Sequence, residues 1–119
     1  MKRSLFVIVL CLFFLAGCSK TEDTVVNYVQ AKEKIINEGA ILVDVRTQEE
    51  YDEAHIDGAV LLTLDTIDED SAKDVIGDKD KVVIVYCKSG VRSGQAVDIL
   101  KNLGYNNVYN LGAMDNWRE

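Results

Sequence analysis

Apolar and polar positions alternate along the chain in blocks, and the period of the pattern changes from block to block. Four short runs, at residues 41–45, 59–62, 82–86 and 107–110, have the length and composition of β-strands. The run at 82–86 is the richest in β-branched residues, so it is the predicted central strand. Polar residues bound each run, and the longer segments between the runs have a different period.

Apolar residues recur at helical spacing in the segments between these strands. Thr47 is the predicted N-cap of a short helix, and Glu50 stands at its capping-box position. Gly39 and Gly104 follow two longer amphipathic segments and predict where those helices end. The predicted helical segments are 29–38, 47–54, an acidic and interrupted stretch at 65–76, 93–103 and a final turn at 114–118.

Strands that alternate with helices predict an α/β fold with a central parallel sheet and helices on both faces. Sheets of this kind bind ligands outside the carboxyl ends of their strands. Asp44 and Arg46 lie where the first strand ends, and Cys87 directly follows the central strand. These residues are therefore the candidates for a functional site. The separation of Arg46 and Glu50 by four residues also predicts an ion pair that organises the loop.

The N-terminal segment must be separated from the fold. Lys2 and Arg3 give it a basic start, and residues 5–15 are almost continuously apolar. This run is shorter than the roughly 20 residues that a membrane-spanning helix needs. The segment ends in LAGC at 15–18, which resembles the lipobox of bacterial lipoproteins. In a lipobox, cleavage precedes the cysteine, and the cysteine thiol receives a lipid.

That resemblance implies a signal peptide at 1–17, a lipidated tether at 18–24 and a domain at 25–119. The domain is then expected in the bacterial cell envelope, anchored to a membrane by the lipid on Cys18 and facing the periplasm or the cell exterior. The alternative is an uncleaved membrane anchor in which the cysteine is incidental.

The chain of 119 residues is acidic, with 13 Lys and Arg, 20 Asp and Glu, and a net charge of −7. Cleavage removes Lys2 and Arg3, which leaves 11 basic and 20 acidic residues and a net charge of −9. Such a charge excludes nucleic acid as an electrostatic partner. Cys11 leaves with the signal peptide and Cys18 carries the lipid. Cys87 is then the only free thiol, and no disulfide within the chain is predicted.

Cys87 lies in a tight loop between the central strand and a helix that starts near Ser93. The amides of such a loop and the N-terminus of the helix favour an anion. Lys88 and Arg92 add two positive charges, so the pKa of Cys87 is predicted to be depressed and its thiolate nucleophilic. Gly90 permits a turn with positive φ. The alternative is that Cys87 is a small buried residue at a strand end.

The loop with the sequence CKSGVR, residues 87–92, resembles the active-site loop of the rhodanese family of sulfurtransferases. The resemblance runs from Val25 onward and implies the rhodanese-like fold, a central parallel sheet with helices on both faces. Ala113 stands where the family usually has glycine, which predicts strain if the backbone there needs positive φ. The flanking segments that agree with the family are DVR at 44–46, EEY at 49–51, HIDGA at 55–59, LGY at 103–105 and NLG at 110–112.

The resemblance implies that Cys87 is the nucleophile of a two-step sulfur transfer, with the amides of residues 88–92 holding its persulfide. Asp44 and Arg46 become supporting residues, and His55, the only histidine, becomes a structural residue beside a turn. The implied partners are a small-molecule sulfur donor such as thiosulfate and a thiol or cyanide-like acceptor. No metal and no organic cofactor is implied. The residues implied in donor binding are Lys88, Ser89, Gly90, Val91 and Arg92.

Two other functions stay open for this loop. A cysteine phosphatase or arsenate-reductase-like enzyme places five residues between its cysteine and its arginine. Here four residues separate Cys87 from Arg92, and Ser93 occupies the position of the phosphatase arginine. The shorter loop favours a sulfur atom over a whole phosphate. The second alternative is a sulfur-carrier or redox-interaction module with little turnover, because the lone thiol has no resolving cysteine.

Overall fold

The β-branched run of the sequence forms β3, an inner strand of a four-stranded sheet in the computed structural model, which describes residues 24–118. The sheet is parallel throughout, in the order β2-β1-β3-β4. The strands are β1 (Ile41–Asp44), β2 (Val60–Leu61), β3 (Val82–Cys87) and β4 (Asn107–Ala113). The helices are α1 (Tyr28–Glu38), α2 (Gln48–Glu53), α3 (Glu69–Val75) and α4 (Val91–Asn102), with short 3-10 turns at Leu64–Thr66 and Met114–Asn116.

Helices pack against both faces of the sheet, as the sequence predicts. Successive residues of β3 point to opposite faces, and they enter two separate hydrophobic cores. Val85 and Cys87 pack with buried residues of α3 and α4, whereas Ile84 and Tyr86 pack on the opposite face with Ala31 of α1. The α/β fold class, with a parallel sheet between helices, is confirmed.

The strand register brings the candidate site residues to one edge of the sheet. Asp44, the last residue of β1, pairs with Tyr86, so Cys87 at the end of β3 lies just beyond it. The pairing of β3 with β4 shifts at a bulge between Val85 and Tyr86, after which Cys87 pairs with Ala113. The two strands stay paired after the bulge, so β4 ends at Ala113, three residues beyond its predicted end at 110.

Side-chain caps fix where most of the helices begin. The predicted capping box of α2 is present, because Thr47 and Glu50 each accept a hydrogen bond from the backbone amide of the other. The acidic stretch at 65–76 is interrupted as predicted, since a 3-10 turn precedes α3. α4 begins two residues before its predicted start near Ser93, because Gly90, with φ of 101°, turns the chain directly into the helix.

Ala113 is not strained. Its φ of −76° and ψ of 143° are ordinary extended values, and the left-handed conformation falls on Gly112, with φ of 89°. The sequence prediction of strain at Ala113 therefore does not apply. The single glycine before it supplies the conformational freedom that this part of the chain needs.

The N-terminal predictions lie outside the described residues. These are the signal peptide at 1–17 and the tether from the lipidated Cys18, of which only Thr24 is described. Val25 forms a parallel bridge with Asn110, so the described chain joins the sheet next to β4 almost from its start. Among residues 24–118, none of the helices has the length and apolar character to cross a bilayer.

Candidate active site

The loop from Cys87 to Val91 wraps around the cysteine sulfur. Cys87 ends β3 and is fully buried, whereas Lys88, Ser89 and Val91 are exposed around it. The amide of Gly90 donates a hydrogen bond to Cys87 Sγ at an N–S distance of 2.9 Å. The thiol therefore lies at the base of a cradle of backbone donors, with the exposed residues of the loop as a rim above it.

Ser93 of α4 completes this cradle. Its amide donates to Cys87 Sγ at 3.3 Å, and its hydroxyl oxygen lies 3.6 Å from the same sulfur. The hydroxyl donates its proton to the carbonyl of Gly90 at 3.0 Å and accepts from the Cys87 thiol, and it can rotate to donate to the sulfur when Cys87 is a thiolate. Sequence reasoning left Ser93 out of the candidate site. The predicted helix begins near Ser93. A helix predicted to begin at Val91 places Ser93 in the first turn, where a backbone amide has no partner within the helix and can bind an anion.

Two opposing effects act on the pKa of Cys87. Burial raises it, and the hydrogen bonds from Ser93, Gly90 and Ser89 lower it. Together the hydrogen bonds outweigh burial, so the pKa of Cys87 lies below its ordinary value, the direction that the sequence predicts. The amides that act on the sulfur are those of Ser89 and Gly90, which lie within the predicted range of 88–92, and that of Ser93, one residue beyond it.

Arg92 is held on the rim of the loop by Glu50 of α2. The guanidinium donates two parallel hydrogen bonds to the carboxylate, Nη1–Oε1 at 2.7 Å and Nη2–Oε2 at 3.1 Å. Hydrogen bonding from Arg92, and then from the Thr47 backbone, lowers the pKa of Glu50 to about 2. Glu50 is thus ionised across the neutral range. The predicted ion pair between Glu50 and Arg46 is wrong, because Arg92 takes this carboxylate.

Arg46 instead pairs with Asp44 in the interior. Its Nε and Nη2 donate to the Asp44 carboxylate at distances of 2.7 to 3.1 Å, and Nη2 also donates to the Ala54 carbonyl at 2.6 Å. The Tyr86 hydroxyl donates to Asp44 Oδ2 at 2.8 Å and accepts from the amide of Ile56 at 3.1 Å. This network ties β1, β3 and the segment after α2 together beneath the loop. No hydrogen bond joins Asp44 or Arg46 to Cys87 among the described residues.

His55 lies outside the sulfur cradle. Its ring stacks on Tyr51, with centroids 3.7 Å apart, and its Nδ1 lies 2.8 Å from the Tyr51 carbonyl oxygen. These contacts fit the structural role that the resemblance implies. No group of three or more His, Cys, Asp or Glu residues in the described part of the chain is arranged to hold a metal ion.

Replacing Ser93 with alanine is expected to raise the pKa of Cys87, because the change removes a hydroxyl beside Sγ and keeps the amide. Below that pKa less thiolate is present, so alkylation of Cys87 by iodoacetamide should slow about tenfold, the effect of one hydrogen bond to a charged group. At alkaline pH, where the thiol is fully ionised in both proteins, this slowing should disappear. An unchanged pH profile would show that the hydroxyl does not act on the sulfur.

Comparisons with known proteins agree with this geometry. A model of the rhodanese-like domain family matches residues 28–119. The thiosulfate sulfurtransferase PspE of Escherichia coli (strain K12) is 40% identical over 72 residues, which cover 60% of this chain and 68% of the relative. The thiosulfate sulfurtransferase GlpE of Coxiella burnetii (strain RSA 331 / Henzerling II) is 33% identical over 94 residues, or 78% and 85% of the two chains.

A solved structure described as rhodanese with anions from E. coli superposes with a TM-score of 0.61 at 35% identity, covering 65% of this chain and 89% of that one. The protein therefore belongs to the rhodanese-like domain family. It is an enzyme of the rhodanese type, as its loop and flanking segments predict.

Proposed function

We propose that this protein moves sulfane sulfur from thiosulfate, or a similar donor, to a thiophilic acceptor through a persulfide on Cys87. The observation that carries the proposal is the set of amide hydrogen bonds from Gly90 and Ser93 to Cys87 Sγ. They stabilise negative charge on sulfur, which both the attacking thiolate and the persulfide require. The relatives named thiosulfate sulfurtransferase support thiosulfate as the donor.

The first half-reaction is a displacement at the outer sulfur of the donor. The Cys87 thiolate attacks that sulfur, a new S–S bond forms, and the S–S bond of thiosulfate breaks. Sulfite leaves with the electron pair of the broken bond. Three negative charges enter the step, and three leave it as the persulfide anion and the sulfite dianion. Lys88 on the rim of the loop supplies positive charge for the departing anion, and Arg92 supplies less because it is paired with Glu50.

The second half-reaction returns the thiolate. A nucleophile such as cyanide or a thiolate attacks the outer sulfur of the persulfide, and the Cys87 sulfur leaves with the electron pair. With cyanide the product is thiocyanate. The proposed step includes no general base, because the hydrogen bonds to Sγ lower the pKa of Cys87 and so favour the thiolate. Because Cys87 is fully buried, the rim of the loop must shift for a donor or acceptor to reach Sγ.

The test is the mass of the peptide that contains Cys87. The purified full-length chain is incubated with thiosulfate, capped with iodoacetamide under non-reducing conditions and digested with trypsin, which releases residues 82–88. We expect one added sulfur atom on this peptide, about 32 Da, which cyanide removes as thiocyanate. Protein alkylated before the donor is added is the control and should gain no sulfur. Absence of both adduct and thiocyanate with thiosulfate, polysulfide and persulfide donors would refute the proposal.

The same measurement separates the alternatives. A sulfur carrier without turnover would keep the added sulfur in the presence of cyanide and thiol acceptors. A cysteine phosphatase would hydrolyse an aryl phosphate and take up no sulfur. The loop length, with four residues between Cys87 and Arg92, supports sulfur transfer over phosphate chemistry.

We also propose that the chain is anchored to a bacterial membrane through lipid on Cys18. The support is the sequence LAGC at 15–18 after a basic start and an apolar core. Cells expressing the chain should incorporate labelled palmitate into it and retain it in the membrane fraction. A Cys18→Ala variant should lose the label. Labelling that persists in this variant, or is absent from the wild type, would contradict the anchor.

A further inference from the structure

The ion pair between Glu50 and Arg92 lies on the rim through which a donor reaches Cys87. Both side chains are partly open to solvent, with about a third of Arg92 (32%) and 27% of Glu50 exposed. The two parallel hydrogen bonds of the pair fix the guanidinium plane against α2. Hydrogen bonding to Glu50 raises the pKa of Arg92, and the nearby Cys87 charge adds a smaller increase in the same direction. Arg92 lies in the first turn of α4, directly before Ser93, whose amide donates to Cys87 Sγ.

The cations around the loop are mostly neutralised. Arg46 is paired with the buried Asp44, and Arg92 is paired with Glu50. Lys88 is exposed and has no ion-pair partner among residues 24–118. The α2 helix, which contacts the rim through Glu50, also carries Glu49, Asp52 and Glu53, all exposed. Across the described residues, Lys88 is therefore the one unpaired cation of the three, and it balances only one of the two negative charges of a dianion.

We propose that Glu50 is a specificity-determining residue that acts through Arg92. By neutralising the guanidinium, it favours sulfane-sulfur donors that carry one negative charge, such as organic thiosulfonates and persulfides of simple thiols, over the thiosulfate dianion. The physical reason is that electrostatic attraction scales with the charge of the donor, so a dianion loses twice as much as a monoanion when Arg92 is neutralised. The inference rests on the proposed function, because it concerns the donor of the first half-reaction.

Methanethiosulfonate and thiosulfate are matched donors for this test. They have the same shape around the central sulfur, with a methyl group in place of one charged oxygen, and they differ by one unit of charge. Attack by the Cys87 thiolate on the terminal sulfur breaks the S–S bond of methanethiosulfonate, and methanesulfinate leaves with the electron pair. Two negative charges enter that step, and two leave it as persulfide and sulfinate.

Glu50→Gln removes the charge and can keep the contacts with Thr47, but its amide nitrogen cannot accept the hydrogen bond that Oε2 accepts from Arg92 Nη2, so the guanidinium keeps at most one of its two bonds to this side chain. Glu50 Oε1 accepts hydrogen bonds from the Thr47 amide at 3.0 Å and from the Thr47 hydroxyl at 3.1 Å, and a glutamine carbonyl can accept both. Glu49→Gln is the matched control. It removes one negative charge from the same helix at an exposed side chain that has no hydrogen bond to Arg92.

The first measurement is kcat/KM for both donors in full-length wild type and in the two variants. In Glu50→Gln the ratio of thiosulfate to methanethiosulfonate should rise about fivefold, the effect of one unit charge about 4 Å away in bulk water. In Glu49→Gln it should change less than about twofold, because solvent screens an exposed charge that is not paired with Arg92. An unchanged ratio in Glu50→Gln, or an equal rise in Glu49→Gln, overturns the inference.

The second measurement requires no sulfur transfer. Alkylation of Cys87 by iodoacetate, an anion, is compared with alkylation by neutral iodoacetamide, both followed on the peptide of residues 82–88. The ratio of the two rates should also rise about fivefold in Glu50→Gln, because these reagents too differ by one charge. Equal acceleration of both reagents would mean that the variant only opens the loop, which overturns the inference. A raised alkylation ratio in a protein that transfers no sulfur supports charge control by Glu50 and refutes the proposed function.

Discussion

Cys87→Ser is expected to lower the rate of sulfur transfer by about a thousandfold or more, because loss of a covalent nucleophile removes the reaction path itself. A serine hydroxyl is not ionised near neutral pH and forms no persulfide. The amides of Gly90 and Ser93 stay in place, but the anion that they stabilise is absent. The measurement is thiocyanate formation from thiosulfate and cyanide, together with the mass of the peptide of residues 82–88, which should gain no sulfur.

The fold should survive this substitution. Serine is slightly smaller than cysteine, and its oxygen can accept the same two amide hydrogen bonds, so the melting temperature should stay within about 4–8 °C of the wild type. Cys11→Ser is the matched control, because it changes a cysteine in the predicted signal peptide and should keep full sulfur transfer. Substantial activity in Cys87→Ser, or its loss in Cys11→Ser, would contradict the assignment of Cys87 as the nucleophile.

The sequence predicts the fold well because its strongest signals are local. Runs of β-branched residues, a capping box at Thr47 and Glu50, and glycines at helix ends each specify an element without reference to distant parts of the chain. The position of Cys87 follows from the end of one such run. The element boundaries that differ from the prediction depend on pairing between distant parts of the chain. β4 continues to Ala113 because its pairing with β3 resumes after a bulge.

The ionic contacts of the site were harder to predict, since they depend on how elements meet in space. Glu50 and Arg92 are 42 residues apart, and only the packing of α2 beside the start of α4 brings them together. The ion pair between Arg46 and Glu50 was predicted from their spacing of four residues, which brings side chains together only when both residues lie in the same helix. Arg46 precedes the N-cap of α2, so its side chain turns back to Asp44 instead.

Asp44→Ala is expected to lower the free energy of unfolding by about 3–5 kcal/mol, the cost of removing one partner from a buried ion pair. Asp44 is fully buried and Arg46 is 6% exposed, so the guanidinium would keep its charge without a buried counterion. The Tyr86 hydroxyl would lose its acceptor as well. Chemical denaturation at neutral pH measures the effect, and a loss below about 1 kcal/mol would contradict a buried, interacting pair.

The double variant Asp44→Ala with Arg46→Met distinguishes loss of the pair from loss of packing. Methionine removes the charge but keeps an unbranched apolar chain in the space beside Asp44. If the uncompensated guanidinium causes most of the destabilisation, the double variant should be more stable than Asp44→Ala alone, because neither charge stays buried. If the loss of unfolding free energy in the double variant equals the sum of the losses in Asp44→Ala and Arg46→Met alone, each side chain acts through its own packing. In that case the buried network beneath the loop would not act as one unit.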